Sequence, residues 1–181
     1  MQHSRRQFLT IGAGLISAAA SSQAFSAPLK GVQPERTLQL RNLHTDEVIR
    51  ATYWEKGQYQ LDSLDEINRV LRDHRANAVT HIDPILLDQL HSLQNSLGHR
   101  GELHIISAYR SPETNAKLLQ QGHKVAKRSF HMQGRAIDIR VPGVHLRTTQ
   151  KAALAMKAGG VGYYPRSGFI HLDTGRVRRW G

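Results

Sequence analysis

The sequence predicts a single α+β domain, and three observations carry that prediction. The chain has 181 residues, 39% of them hydrophobic, which suffices for one buried core and falls short of two sizeable domains. Leucines recur at helical spacing through the middle of the chain, whereas short alternating segments flank them on both sides. There are no cysteines, so neither disulfides nor thiolate-held metals can staple the fold or carry its chemistry.

The N-terminus is set apart from the domain. Arg5-Arg6-Gln7-Phe8-Leu9 leads into an uncharged stretch from Phe8 to Ala20, then into small residues between Ala24 and Ala27. A basic start, a short apolar run and a small-residue cleavage zone form a secretory signal, and the arginine pair gives it twin-arginine character. The apolar run is too short to span a bilayer. Residues 1–27 are therefore expected to direct export through the twin-arginine translocase to the periplasm, leaving residues 28–181 as the working domain.

In that domain Thr37–Leu40 and Glu47–Trp54 alternate and are separated by a polar turn, which predicts a hairpin. Leu61, Leu64, Ile67 and Leu71 predict an amphipathic helix from Asp62 to about Arg75. Asp83-Pro84 supplies a cap and first residue for a second helix carrying Leu86, Leu87, Leu90, Leu93 and Leu97, with Gly98 as its stop. A strand at Leu103–Ala108, a short helix from Pro112, a strand at Ala136–Val141 and a helix over residues 145–158 follow. Strands at Val161–Tyr164 and Phe169–Asp173 complete the pattern.

Charge narrows the function classes. Lys and Arg number 25 against 14 Asp and Glu, a net +11 that becomes +9 once Arg5 and Arg6 leave with the signal. Such a surface attracts polyanions. An exported protein meets little nucleic acid, so no nucleic-acid partner is expected and peptidoglycan becomes the foremost candidate.

Most of the 11 histidines sit without companion ligands, but two differ. His131 precedes a turn at Gly134 that leads into a strand carrying Asp138 between Ile137 and Ile139. A carboxylate in that setting is either paired or bound to a metal, since burying it alone is costly. His171 and Asp173, two apart on a strand, share a face. Two imidazoles and a carboxylate, with a fourth position for water, match a catalytic rather than a structural zinc set.

The block Ser129-x-His131-x-x-Gly134-x-Ala136-x-Asp138 and the later Phe169-Ile170-His171-Leu172-Asp173 resemble the zinc D,D-peptidase group of dipeptidases, carboxypeptidases and phage endolysins. Asn42-Leu43-His44-Thr45, Ile106–Ser111 and Ala158–Ser167 extend the resemblance to its murein endopeptidase branch, the MepK type. It implies the Hedgehog/D,D-peptidase fold, an antiparallel sheet with flanking helices. It also implies one Zn2+ on His131, Asp138 and His171, and hydrolysis of peptidoglycan cross-links, D-Ala–diaminopimelate or diaminopimelate–diaminopimelate.

Under the same resemblance Arg110 is a substrate-side clamp for a carboxylate or oxyanion, while Ser129 and Tyr109 are candidates to contact substrate. Ser129 has a local turn role as its alternative. Many relatives place an acid three residues before the last zinc histidine or a histidine two before it. Here those positions hold Gly168 and Phe169, which move no proton, so Asp173 is expected to act as base or to orient His171. Of Tyr109, Tyr163 and Tyr164, one is expected to line the cleft and two to pack. The domain is expected to work as a monomer. The alternatives are a D,D- or L,D-carboxypeptidase trimming stem peptides, and a non-catalytic peptidoglycan- or metal-binding module.

Overall fold

The computed structural model describes residues 35–123 and 125–181; the expected signal, residues 1–27, lies outside the described residues. Strands β1 (Arg36–Asn42) and β2 (Val48–Glu55) form the predicted antiparallel hairpin, and β3 (Gln58–Tyr59) pairs with the end of β2. Helices α1 (Leu61–Val70) and α2 (Pro84–Ser96) follow, then β4 (Leu103–Ser107) and α3 (Pro112–Gln120). A single 3₁₀ turn at Phe130–Gln133 leads into β5 (Ala136–Arg140). Helix α4 (Leu146–Met156) and strands β6 (Gly160–Tyr164), β7 (Phe169–Asp173) and β8 (Arg178–Trp180) complete the chain.

All eight strands join one sheet in the order β3-β2-β1-β4-β5-β7-β6-β8. The α+β class holds, but the sheet is mixed rather than purely antiparallel, with β1 against β4 and β6 against β8 running parallel. The chain returns to β1 only after β2, β3, α1 and α2, and a connection of that length permits a parallel neighbour.

Helices α1, α2 and α4 pack on the sheet, and the apolar alternation of the strands points toward them. Ile105, Ile137, Ile139, Ile170 and Leu172 meet Leu86, Leu87, Leu90 and Leu93 in one cluster at 1% exposure or less. At roughly 1.5–3 kcal/mol for each fully buried aliphatic side chain, this layer is the main source of stability. The alternate residues of the same strands, Asp138 on β5 and His171 and Asp173 on β7, therefore face the other side of the sheet. That two-residue period separates core from chemistry.

Three details depart from the sequence reading. Helix α1 ends at Val70, not near Arg75, because Asp73 leaves the helical path to accept the amide of Arg75 and to pair its own backbone with Ala78. Leu61, the first of the expected stripe, is exposed at the start of that helix. Helix α4 stops at Lys157 in a left-handed conformation, so Gly159 and Gly160 do not serve as its stop. They allow close approach instead: a Cβ on Gly159 would overlap the carbonyl of Asp173, and one on Gly160 would meet the side chains of Asp173 and Arg178.

Candidate active site

Three elements bring the site together. Ser129 caps the 3₁₀ turn by accepting the amide of His131, and Gly134 ends that turn at φ +66°. The turn sets His131 beside β5, where Asp138 pairs in register with His171 of β7. The imidazole Nε2 of His131, Oδ1 of Asp138 and Nδ1 of His171 form a triangle with edges of 3.2 Å between the nitrogens, 2.8 Å from His171 to Asp138 and 3.4 Å from His131 to Asp138.

The outer nitrogens decide what the inner ones present. His131 Nδ1 lies 2.6 Å from the carbonyl oxygen of Ala108, which can only accept, so Nδ1 carries the hydrogen. His171 Nε2 lies 3.1 Å from Asp173 Oδ2, so it too is the donor. When the rings are neutral their inner faces offer lone pairs, and with Asp138 they make three acceptors pointing at one another without a hydrogen among them. Such a set calls for a cation. Its edges suit one: tetrahedral ligands at zinc bond lengths stand about 3.4 Å apart. A carbonyl and a carboxylate behind the two imidazoles are the partners that orient metal-binding histidines.

Asp173 is completely buried and saturated. Besides His171 it accepts the amides of Gly160 and Gly175 at 3.2 and 2.8 Å, and Arg178 grips it with both terminal nitrogens at 2.9 and 2.6 Å. Burial alone would push its carboxyl up, but His171, Arg178 and the Gly175 amide hold it well below the usual carboxylate range. Asp138 behaves alike, burial being outweighed by the two imidazoles. Hydrogen bonds and charge from Asp138 and Asp173 outweigh burial for His171 and raise its pKa.

Above this cluster lies a cleft of about 550 Å³. Arg110 enters it from the loop after β4, donating to Asn115 Oδ1 at 3.3 Å and leaving its buried Nε without a partner. Burial depresses its pKa, with Asp138 acting in the opposite direction. It has no ion pair among the described residues, so a surface salt bridge does not account for it. Tyr164, Phe169 and Trp180 form an aromatic wall in which Tyr164 stacks on Phe169 and Trp180 tilts over His171 at 5.2 Å between ring centroids.

The family model described as "Peptidoglycan L,D-endopeptidase MepK" matches residues 30–180. The peptidoglycan L,D-endopeptidase MepK of Escherichia coli (strain K12) is 45% identical over 176 residues, 97% of this chain and 96% of that protein. That of Shigella flexneri aligns equally well, and the probable peptidoglycan L,D-endopeptidase MepK of Haemophilus influenzae (strain ATCC 51907 / DSM 11121 / KW20 / Rd) is 35% identical over 181 residues, 99% of this chain and 97% of that one.

The chain belongs to the MepK family.

Within that family frame the predicted residues separate cleanly. His131, Asp138 and His171 converge, Arg110 and Ser129 line the same cleft, and Asp173 sits directly behind His171. Ser129 accepts the His131 amide, which is the turn role, and its hydroxyl hydrogen is still available at the cleft. Tyr109 does not line the cleft: its backbone amide bonds Leu71 and its ring packs against the core. Tyr163 packs likewise beneath Arg147, which leaves Tyr164 as the one of the three tyrosines at the cleft. Sequence reasoning missed Arg178 and Trp180, because the three-residue strand β8 that carries them is too short to show a period. The signal was present in Gly160 and Gly162, whose missing side chains make room for these two: a Cβ on Gly162 would stand 2.8 Å from the indole.

Proposed function

We propose that this chain is an exported zinc endopeptidase that hydrolyses the L,D cross-links of peptidoglycan. The observation that carries the reading is the set of three convergent acceptors with their outer hydrogens tied off, flanked by an arginine whose buried Nε has no partner. His131, Asp138 and His171 would hold the zinc. When bound, that ion supplies Lewis acidity for the scissile carbonyl and water that ionises near neutral pH.

The remaining work falls to the chain. In a cross-link between two diaminopimelates, the scissile nitrogen belongs to a D-centre that also bears a carboxylate. Arg110 is placed to receive that carboxylate, since its fork is desolvated and its Nε lacks an acceptor. The aromatic wall of Tyr164, Phe169 and Trp180 shields the same cleft from water. Asp173 serves as the positioning group for His171 rather than as a base, because its oxygens are enclosed by donors and face away from the cleft. Family membership supports the substrate class, as does the net charge of +9 without residues 1–27, which suits an anionic mesh. Residues 1–27 are proposed as the twin-arginine signal that delivers the domain, as a monomer, to the periplasm.

The test is digestion of defined muropeptide dimers by zinc-loaded protein and by its His131→Ala variant. The expected result is one zinc per chain and conversion of diaminopimelate–diaminopimelate dimers to monomers by the parent only. Release of terminal D-Ala without loss of cross-links would show a carboxypeptidase instead. Stoichiometric zinc with binding and no products would show a non-catalytic module.

A further inference from the structure

The cleft poses a proton problem. Breaking an amide requires a proton for the departing nitrogen, yet the family positions three and two residues before His171 are Gly168 and Phe169. Of the ionisable groups among the described residues that line the cleft, Arg110, Arg128 and Arg178 keep their protons at any working pH. The two imidazoles and Asp138 are committed to the cation. Tyr164 is what remains.

Its hydrogen bonding points the same way. Trp180 Nε1 lies 2.8 Å from the Tyr164 hydroxyl oxygen. An indole N–H is a donor only, so the phenol oxygen must accept there, and its own hydrogen is turned toward another partner. No protein acceptor among the described residues takes that hydrogen. The ring is held on both sides, stacked on Phe169 at 4.7 Å and tied to an indole that is itself seated over Gly162. Tyr164 and Arg110 line the same cleft, so the hydroxyl shares the space in which Arg110 would hold the carboxylate next to the scissile nitrogen. Ser129, the other hydroxyl at the cleft, accepts the amide of His131 and is far less acidic than a phenol, so it is the poorer proton donor.

We propose that Tyr164 is the catalytic acid, donating its hydroxyl proton to the leaving amine, and that Trp180 is the positioning residue that aims it. This assignment rests on the hydrolytic reading above. Water adds its oxygen to the carbonyl carbon, and the C–N bond then breaks with its electron pair moving to nitrogen. Tyr164 passes its proton to that pair, so the amine leaves neutral, and the phenolate recovers the proton given up by the attacking water. No other reactant is consumed.

The discriminating experiment compares an amide cross-link with its ester (depsipeptide) analogue, whose alkoxide leaves far more readily without help. Tyr164→Phe keeps the stacked ring and removes the proton. Loss of a general acid costs on the order of a hundredfold or more. The expected result is a fall of about a hundredfold in kcat on the amide and less than about tenfold on the ester. KM and bound zinc should be unchanged. Trp180→Phe, which keeps an aromatic ring but no N–H, should give a smaller loss with the same bias toward the amide.

Amide turnover by Tyr164→Phe within a few-fold of the parent overturns the proposal, as does an equal fall on amide and ester. A parent that binds zinc but cleaves neither substrate overturns the hydrolytic reading itself, and a parent that cleaves both leaves that reading standing whatever Tyr164→Phe does.

Discussion

Asp173 is a side chain whose proposed role, orienting His171, needs no contact with substrate. Its two oxygens accept from His171, Arg178 and two backbone amides, and Arg178 in turn lies between the rings of Phe130 and Trp180. Asp173→Asn preserves the shape and removes the charge, so an amide NH2 must face the guanidinium and, with it, either the His171 N–H or the two glycine amides. The ring loses the partner that fixes its tautomer. Zinc affinity should fall about 10- to 100-fold, the usual cost of losing such a partner, as read by competition with a chromophoric chelator. Activity should be recovered at saturating zinc, which a role as base would not allow. The shared face of His171 and Asp173 was legible from their spacing alone. The grip of Arg178 was not, because five residues separate it from Asp173 through a turn that no periodicity describes.

At the scale of elements, the site depends on turns more than on helices. Gly134 holds φ +66°, and a Cβ there would stand 2.2 Å from the carbonyl oxygen of His81. Gly134→Ala thus combines backbone strain with a clash against the main chain before α2, and should cost about 2 kcal/mol or more. Because Gly134 closes the turn that carries His131, zinc binding should weaken along with Tm, a coupling that calorimetry with and without zinc would measure.

A second junction is Asp73, buried where the end of α1 meets the start of α3, accepting the amides of Ser111 and Arg75 at 2.8 and 3.0 Å. Burial raises its carboxyl, but bonds from Thr114, Ser111 and Arg75 win and lower it to about 2. A carboxyl depressed in the folded state stabilises fully above its unfolded pKa near 4. The benefit is lost as pH falls from there toward about 2, an effect on the order of 2 kcal/mol. Urea unfolding across that range should therefore show a midpoint that drops for the parent more than for Asp73→Asn. Helix and strand interiors were readable from sequence because burial imposes their periods. The end of α1 was not, because a carboxylate accepting a hydrogen from Ser111, 38 residues further along the chain, outweighs the local helical pattern.

For the whole molecule the governing quantity is charge, and this was fully legible, since a sum over side chains needs no fold. The described carboxylates that are best paired are used internally: Asp88 binds Arg36 and two tyrosines, Glu102 binds Arg41 and His104, and Glu47 binds Arg72. The excess of cations is left to act outward. Against an insoluble anionic sacculus the long-range part of that field raises the rate of encounter, and salt screens it over about 10 Å at 0.1 M. Arg110 is different, because its proposed role is to meet bound substrate at contact distance with its Nε out of water, where screening is weak. Two salt dependences should follow from one enzyme. Release of fragments from intact sacculi should decline steeply between about 0.05 and 0.5 M salt, whereas kcat on a short soluble cross-linked dimer should change little. Arg110→Lys should leave both slopes in place: it keeps the net charge and hence the salt slope on sacculi, but loses the fork and raises KM for the dimer at every ionic strength. Equal salt slopes for sacculus and dimer in the parent would instead place the electrostatic contribution in the cleft, and the excess surface charge would then need another explanation.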